Sequence, residues 1–309
     1  MMQNLITLTS GPLTARFHPF GARLLHLSLN GGQNLVLAAD PVAHPVWYAC
    51  YPGAIVGPVA NRITDGQVKV AGQTHQMPRN EGGATCLHSG PEGLHARTWQ
   101  VAKHGADHVT FRCLLADDDC GLPGARDIRA QFQLIDATLR LTISATTDAA
   151  TPMNIAHHPY WRLGNAADHR LMVPADHYLP VNARNLPTGM MASVANTGFD
   201  FRTPRALSAD IDHNLCLSDA PTQSPQRVAV LTGTDGLRMQ IKSTEPGLQV
   251  YAGAYLPCLP GTDIGPLAGI ALEPQGWPDA PNQPQFPSVM ITPETPYRQI
   301  TEYCLDHAT

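Results

Sequence analysis

Several common signatures are missing from these 309 residues. Aromatic side chains make up only 6% and charged ones 15%. No apolar run approaches the roughly 20 residues a helix needs to cross a bilayer, so no helical membrane span is expected. The opening MMQNLITLTSGPLTARF has no charged segment leading into an apolar one, and no export signal is expected. The net charge is −5 with no block of like charge, which argues against a nucleic-acid surface. The seven cysteines (Cys50, Cys86, Cys113, Cys120, Cys216, Cys258 and Cys304) are scattered and form no C-x-x-C. Neither a zinc ribbon nor a disulfide framework fits them, and a reducing cytoplasm is the simple expectation. No Gly-rich phosphate loop, no His-x-His and no H-E-x-x-H spacing occurs, so neither a nucleotide cofactor nor a bound metal is expected. No fixed-period repeat and no pooled Pro/Gly linker divides the chain, which reads as one domain over 1–309.

What is present is period-two alternation between frequent breakers. Proline (28) and glycine (26) are spread along the whole length. Between them VTFRCLL places Val109, Phe111, Cys113 and Leu115 on one face, and LRLTISATT does the same with Leu139, Leu141 and Ile143. RVAVLTGTDGLRMQIKS reads as two strands around a turn at Thr234-Asp235-Gly236. LQVYAGAYL sets Leu248, Val250, Ala252 and Ala254 against Tyr251 and Tyr255. Long amphipathic helices are nearly absent; the best short helical candidate is ANRIT, which does not run on. Many short strands predict an all-β protein, a large antiparallel sandwich or barrel.

Two places concentrate unusual polar residues. In MNIAHHPYW, strand alternation puts Met153, Ile155, His157, Pro159 and Trp161 on one face and Asn154, Ala156, His158 and Tyr160 on the other. His158 therefore shares a small, polar face suited to a pocket, and His157 an apolar face suited to packing. This split weakens a metal site built on both; the plain alternative is two ordinary core or rim histidines. In GIALEPQGWPDAPNQPQFP, Glu273 ends an apolar run, with Gln275 on its face and Trp277 just beyond. Desolvation there would raise a carboxyl toward the range a general base needs, although such a Glu can equally bond loop amides. Asn61-Arg62, His88 and Asp212 are weaker candidates. Arg62 offers a planar donor fork or is a surface arginine, His88 lies in a turn of small residues, and Asp212 could accept from a polyol or cap a turn.

Taken in order, the segments FGARLLHL, GAIVGPVANRITDGQ, LHSGPEGLHARTW, NIAHHPYWRLG, DFRTP, DHNLCL, GLQVYAGAYL and LEPQGWPDAPNQPQFPS resemble the motifs of the aldose 1-epimerase (galactose mutarotase) family, from about residue 10 to 305. The resemblance implies a supersandwich, galactose mutarotase-like fold. It also implies cofactor-independent interconversion of the α and β anomers of a free aldose. It places Glu273 on the general base and His158 on the general acid. Arg62, His88 and Asp212 fall on the substrate-binding positions, with Asn61, Tyr160 and Gln275 beside them. The implied partner is a small-molecule sugar, and the implied assembly a monomer or homodimer. The chain departs from the family's motifs at Pro58-Val59, Ser89, Pro159, Arg162-Leu163-Gly164 and Gly276-Trp277, positions that shape pocket walls rather than the acid and base.

A catalytically silent sugar-binding module on the same fold would not need both Glu273 and His158. A hydrolase would pair Glu273 with Asp212 and leave His158 idle. A metal enzyme would use His88, His158 and Glu273, which no local spacing supports.

Overall fold

Proline and glycine cut the chain into strands of 2 to 11 residues, and almost everything regular is built from them. The computed structural model describes residues 5–40 and 43–307. Its largest sheet has eight antiparallel strands. In order across the sheet they are Arg170–Met172, Gln226–Thr232, Leu237–Ser243, Tyr297–His307, Thr138–Thr147, Arg126–Ile135, His108–Leu115 and Gln100–His104. The expected alternation holds: Val109, Phe111, Cys113 and Leu115 are buried, as are Leu139, Leu141 and Ile143, while their neighbours face outward. The turn at Thr234-Asp235-Gly236 joins two paired strands, with Gly236 at φ 73, where a side chain would be strained.

A second sheet of six strands runs Tyr160–Trp161, Ile270–Gln275, Gly247–Tyr251, Asp212–Cys216, His177–Tyr178 and Ala192–Ser193. Its inner side chains, Trp161, Leu272, Leu248, Val250 and Leu215, join Phe111, Phe132, Leu141 and Tyr303 of the large sheet in one apolar cluster that draws on residues from Leu8 to Leu305. The Trp161 ring lies 4.7 Å from that of Tyr303. Phe132 is fully buried between Phe17, Phe111 and His157, and truncating such a ring to Ala costs about 3–5 kcal/mol. The chain is thus all-β, with antiparallel sheets packed on a shared core.

Among the described residues every helical segment is a short 3-10 turn. ANRIT is not the helix its sequence suggests. Arg62–Ile63 pairs as a two-residue strand with Cys86–Leu87, and only Thr64–Gly66 turns. Asp65 at φ 54 and Gly66 at φ 61 end any helical path, while Asp279 accepts from the Thr64 N–H at 2.9 Å and from its hydroxyl at 2.6 Å.

The HHPYW stretch is where the chain changes partners. His157 and His158 pair with Ile55 and Ala54, whereas Tyr160 pairs with Ala271 on the six-stranded sheet. Pro159 sits at the change. It has no N–H to give to either ladder, so leaving one and joining the other strands no donor there.

Candidate active site

The outer face of the six-stranded sheet forms the floor of a cleft of about 280 Å³. Register sets what lies on it. Tyr160, Ala271, Tyr251 and Asp212 form one cross-strand row, and Glu273, Gln249 and Asn214 the next. Because alternate residues share a face, the Leu272 and Val250 that seal the core automatically turn Glu273 and Gln249 toward the cleft. Ala156–His158 then crosses beside this floor and brings in His158.

His158 Nε2 lies 3.5 Å from Glu273 Oε1, and the two residues are 5% and 2% exposed. Burial is the main influence on both. It brings the His158 imidazole down to about 4 and drives the Glu273 carboxyl well above the usual carboxylate range, with the Asp212 charge adding to the rise and Arg62 opposing it. The two shifts favour a pair holding one proton between them, with no net charge.

Around this pair stand most of the residues expected from sequence. Arg62 is held by Glu81, whose carboxylate accepts from Nε and Nη2 at 2.9 Å each, and its Nη1 reaches Asp212 at 3.4 Å. Gln249 donates to the other Asp212 oxygen at 2.6 Å. Asn61 works through its backbone: its N–H donates to His88 Nδ1 and its carbonyl accepts from the His88 N–H, both at 3.1 Å. Asn61 at φ 61 and His88 at φ 51 make the tight pairing possible. Burial holds His88 well below its ordinary value, so it is neutral, and its Nδ1 is the acceptor. The ring proton therefore sits on Nε2, a fixed donor for a ligand oxygen. Tyr160 lines the cleft with its ring, edge-on to His158 at 5.1 Å, while its hydroxyl is given to the Cys50 carbonyl at 3.0 Å.

His157 turns the other way. Its Nδ1 meets the Tyr303 hydroxyl at 3.0 Å and its ring packs 5.4 Å from Phe132. The two histidines face opposite ways, as alternation predicts.

Gln275 is the exception among the expected site residues. It shares the face of Glu273 but lies one row further along, beside Gly247 and Cys216, and does not line the cleft. The cluster of Trp277, Leu179, Cys216, Ala280 and Phe286 covers this row, and Gln275 is 0% exposed. The indole thus packs on the side of Gly247 and Cys216 and does not line the cleft of Glu273. Tyr51, Glu81, Gln249 and Asn185 line the cleft without having been singled out. Gln249 had a signal, since it alternates with the core residues Leu248 and Val250. Tyr51 follows a 3-10 turn at φ 59 and meets His88 and His95 edge-on, with ring centres 4.6 and 4.7 Å away, a position no strand pattern reveals.

A metal reading also meets the geometry. Donor atoms of His88, His158 and Glu273 lie within 4.8 Å of one another, a grouping that local spacing hides. The His88 tautomer opposes it, because an Nε2 that carries the proton has no lone pair for a cation.

The family model described as aldose 1-epimerase matches residues 4–304. The aldose 1-epimerase of Escherichia coli (strain K12) is 32% identical over 277 residues, covering 82% of this chain and 80% of that one. The chain belongs to the aldose 1-epimerase family. The galactose mutarotase of Homo sapiens is 34% identical over 270 residues, 81% of this chain and 78% of its own. Among solved structures, the GalM/aldose epimerase homologue from C. elegans superposes with a TM-score of 0.91 at 30% identity over 99% of both chains. Galactose 1-epimerase from Lactobacillus acidophilus NCFM gives 0.85 at 26% identity over 98% and 94%. The fold is therefore galactose mutarotase-like, and departures from the family's motifs acquire local reasons. Ser89 is wholly buried at φ 64, and its hydroxyl accepts from the Val59 N–H at 2.8 Å and donates to the Val59 carbonyl at 3.1 Å, tying down the His88 turn. Trp277 donates to the Pro246 carbonyl at 3.0 Å and so anchors the loop after Glu273.

Proposed function

We propose that the cleft interconverts the α and β anomers of a free aldose by opening and reclosing the sugar ring. The observation that carries this reading is the buried Glu273–His158 contact of 3.5 Å on a floor of hydrogen-bonding groups. Ring opening needs a proton taken from the anomeric hydroxyl and another given to the ring oxygen. In the carboxylate–imidazolium form of the pair, Glu273 takes the first and His158 gives the second. The anomeric C–O bond to the ring oxygen breaks as the carbonyl forms. Rotation about C1–C2 presents the other aldehyde face, and the two residues return the protons as the ring recloses. The neutral pair reaches that form by moving its own proton from Glu273 to His158, so no outside acid or base is required.

The other groups bind and orient. His88 Nε2–H and the Arg62 guanidinium are donors for ring and hydroxyl oxygens, and Asp212 and Gln249 are partners for hydroxyls. The carboxylates of Glu81 and Asp212 outnumber the Arg62 cation by one, and the nearby histidines are held neutral by burial. A cleft with that balance suits an uncharged sugar better than a phosphorylated or acidic one. Seven unpaired cysteines favour the reducing cytoplasm as the working compartment, and a core drawing on Leu8 to Leu305 favours one functional unit across 1–309.

Polarimetry of freshly dissolved α-D-glucose and α-D-galactose, with and without protein, is the direct test. Acceleration that survives a chelator supports the reading. Unchanged mutarotation of every aldose tried, with sugar still bound, would instead identify a silent sugar-binding module, and loss of rate on chelation would restore the metal alternative.

A further inference from the structure

Beyond the end of the Glu273 strand lies a second cavity of about 270 Å³. Its wall is mostly apolar, including Met153, Pro246, Val289, Ile291 and Pro296. Into this wall is set Glu245, 5% exposed. Its backbone N–H is taken by Ser243 Oγ at 3.2 Å, but among the described residues its carboxyl has no hydrogen-bond partner. The other titratable groups on the wall are Tyr297 and Arg298. The Tyr297 hydroxyl is engaged with the Ile155 backbone at 3.3 and 3.5 Å, and Arg298 is exposed to solvent. Burial alone pushes Glu245 up to about 8, with no neighbouring cation offsetting it.

A carboxyl on a side chain only 5% exposed, with a cavity rather than a protein group before it, is costly to ionise, and native structures rarely keep one without a reason. We propose that this cavity is a second small-molecule site, separate from the sugar cleft, and that it takes a small organic ammonium ion whose N–H groups meet Glu245 while its apolar body fills the proline-rich wall. The combination of one carboxylate and apolar surroundings selects a cation with hydrocarbon attached. An anion would be repelled by the Glu245 carboxylate, with only the exposed Arg298 to offset it, and a free sugar would set most of its hydroxyls against a wall rich in proline and methionine. The site also touches the catalytic framework. Asn154 and Gly276 line the cavity and are joined by two hydrogen bonds, at 2.7 and 3.2 Å. Asn154 lies on the chain leading to His158, and Gly276 on the chain leaving Glu273.

The test is calorimetric titration of the full chain with n-butylammonium chloride, beside n-butanol as the uncharged analogue. One saturable site is expected, with proton release visible as a buffer-dependent heat. Because Glu245 must give up its proton, affinity should rise about tenfold from pH 6 to pH 7. Glu245→Gln keeps the shape and is neutral, and should lose at least about tenfold in affinity for the cation. Glu273→Gln, which alters the sugar cleft, should bind the cation as the wild type does. The proposal is overturned if no saturable binding occurs, if butanol binds as well as the cation, if Glu245→Gln binds unchanged, or if Glu273→Gln is the variant that loses binding.

Discussion

If Glu273 and His158 share a single proton, removing either should disable the same device. Glu273→Gln removes the proton acceptor and keeps the volume; His158→Asn removes the donor. A positioned acid or base contributes typically about 100- to 10,000-fold, so each variant should lose that much in kcat, or about 2.7–5.4 kcal/mol at 1.36 kcal/mol per decade. Burial makes the upper half of the range the expectation, because at 2% and 5% exposure bulk water cannot readily replace the missing group. The double variant is the sharper measurement. Independent contributions would multiply to about 10⁴–10⁸, whereas two halves of one relay should cost together little more than the worse single change. The assay is the initial rate of optical rotation change for α-D-glucose, corrected for the spontaneous reaction, with thermal unfolding as a control for folding. Glu273→Gln within about threefold of wild type would refute the assignment, and so would a double variant that costs the full product of the singles.

Three further outcomes follow from the same geometry. Burial lowers His158 to about 4 and raises Glu273 well above the usual carboxylate range. A second proton enters the pair only as pH falls through about 4, so kcat/KM should show no acid limb above about pH 5; an acid limb at the ordinary histidine value of 6.5 would refute this. His157→Asn should lose about 1–3 kcal/mol of stability with its buried Tyr303 bond, measured by urea unfolding, yet keep the mutarotation rate within a few-fold; the opposite pattern would reverse the register assigned to the two histidines. Glu245 has its folded value raised from 4.5 to about 8, so the stability present below pH 4.5 is lost as pH climbs toward 8. Glu245→Gln should therefore gain about 3 kcal/mol over wild type at pH 7 and little at pH 4.5, and equal unfolding curves at pH 7 would show the carboxyl to be solvated.

Period-two patterning carried most of the architecture, because a sheet with one buried face must alternate. The same rule separated His158 from His157 and put Glu273 opposite Leu272. It failed for Gln275, since sharing a face does not fix how far along the strand a covering loop reaches. Trp277 and Phe286 close over that row through contacts distant in sequence. Glu81 was invisible for a related reason: an acidic residue in a glycine turn looks solvated until the fold sets Arg62 against it at 2.9 Å. ANRIT misled because its apolar spacing is equally that of a strand entering a turn, and tertiary pairing with Cys86–Leu87 decided between them. The His88–His158–Glu273 grouping spans most of the chain, beyond any local spacing rule.

The exchange of partners at Pro159 places the proposed acid and the proposed base on different supports. Glu273 is carried by the six-stranded sheet, while His158 is carried by the short pairing with Ala54–Val56. The His158–Glu273 separation is consequently a distance across a seam, set by how two independently hydrogen-bonded pieces lean on one another. Substitutions that tilt one piece against the other will retune the proton relay while leaving every reacting group in place.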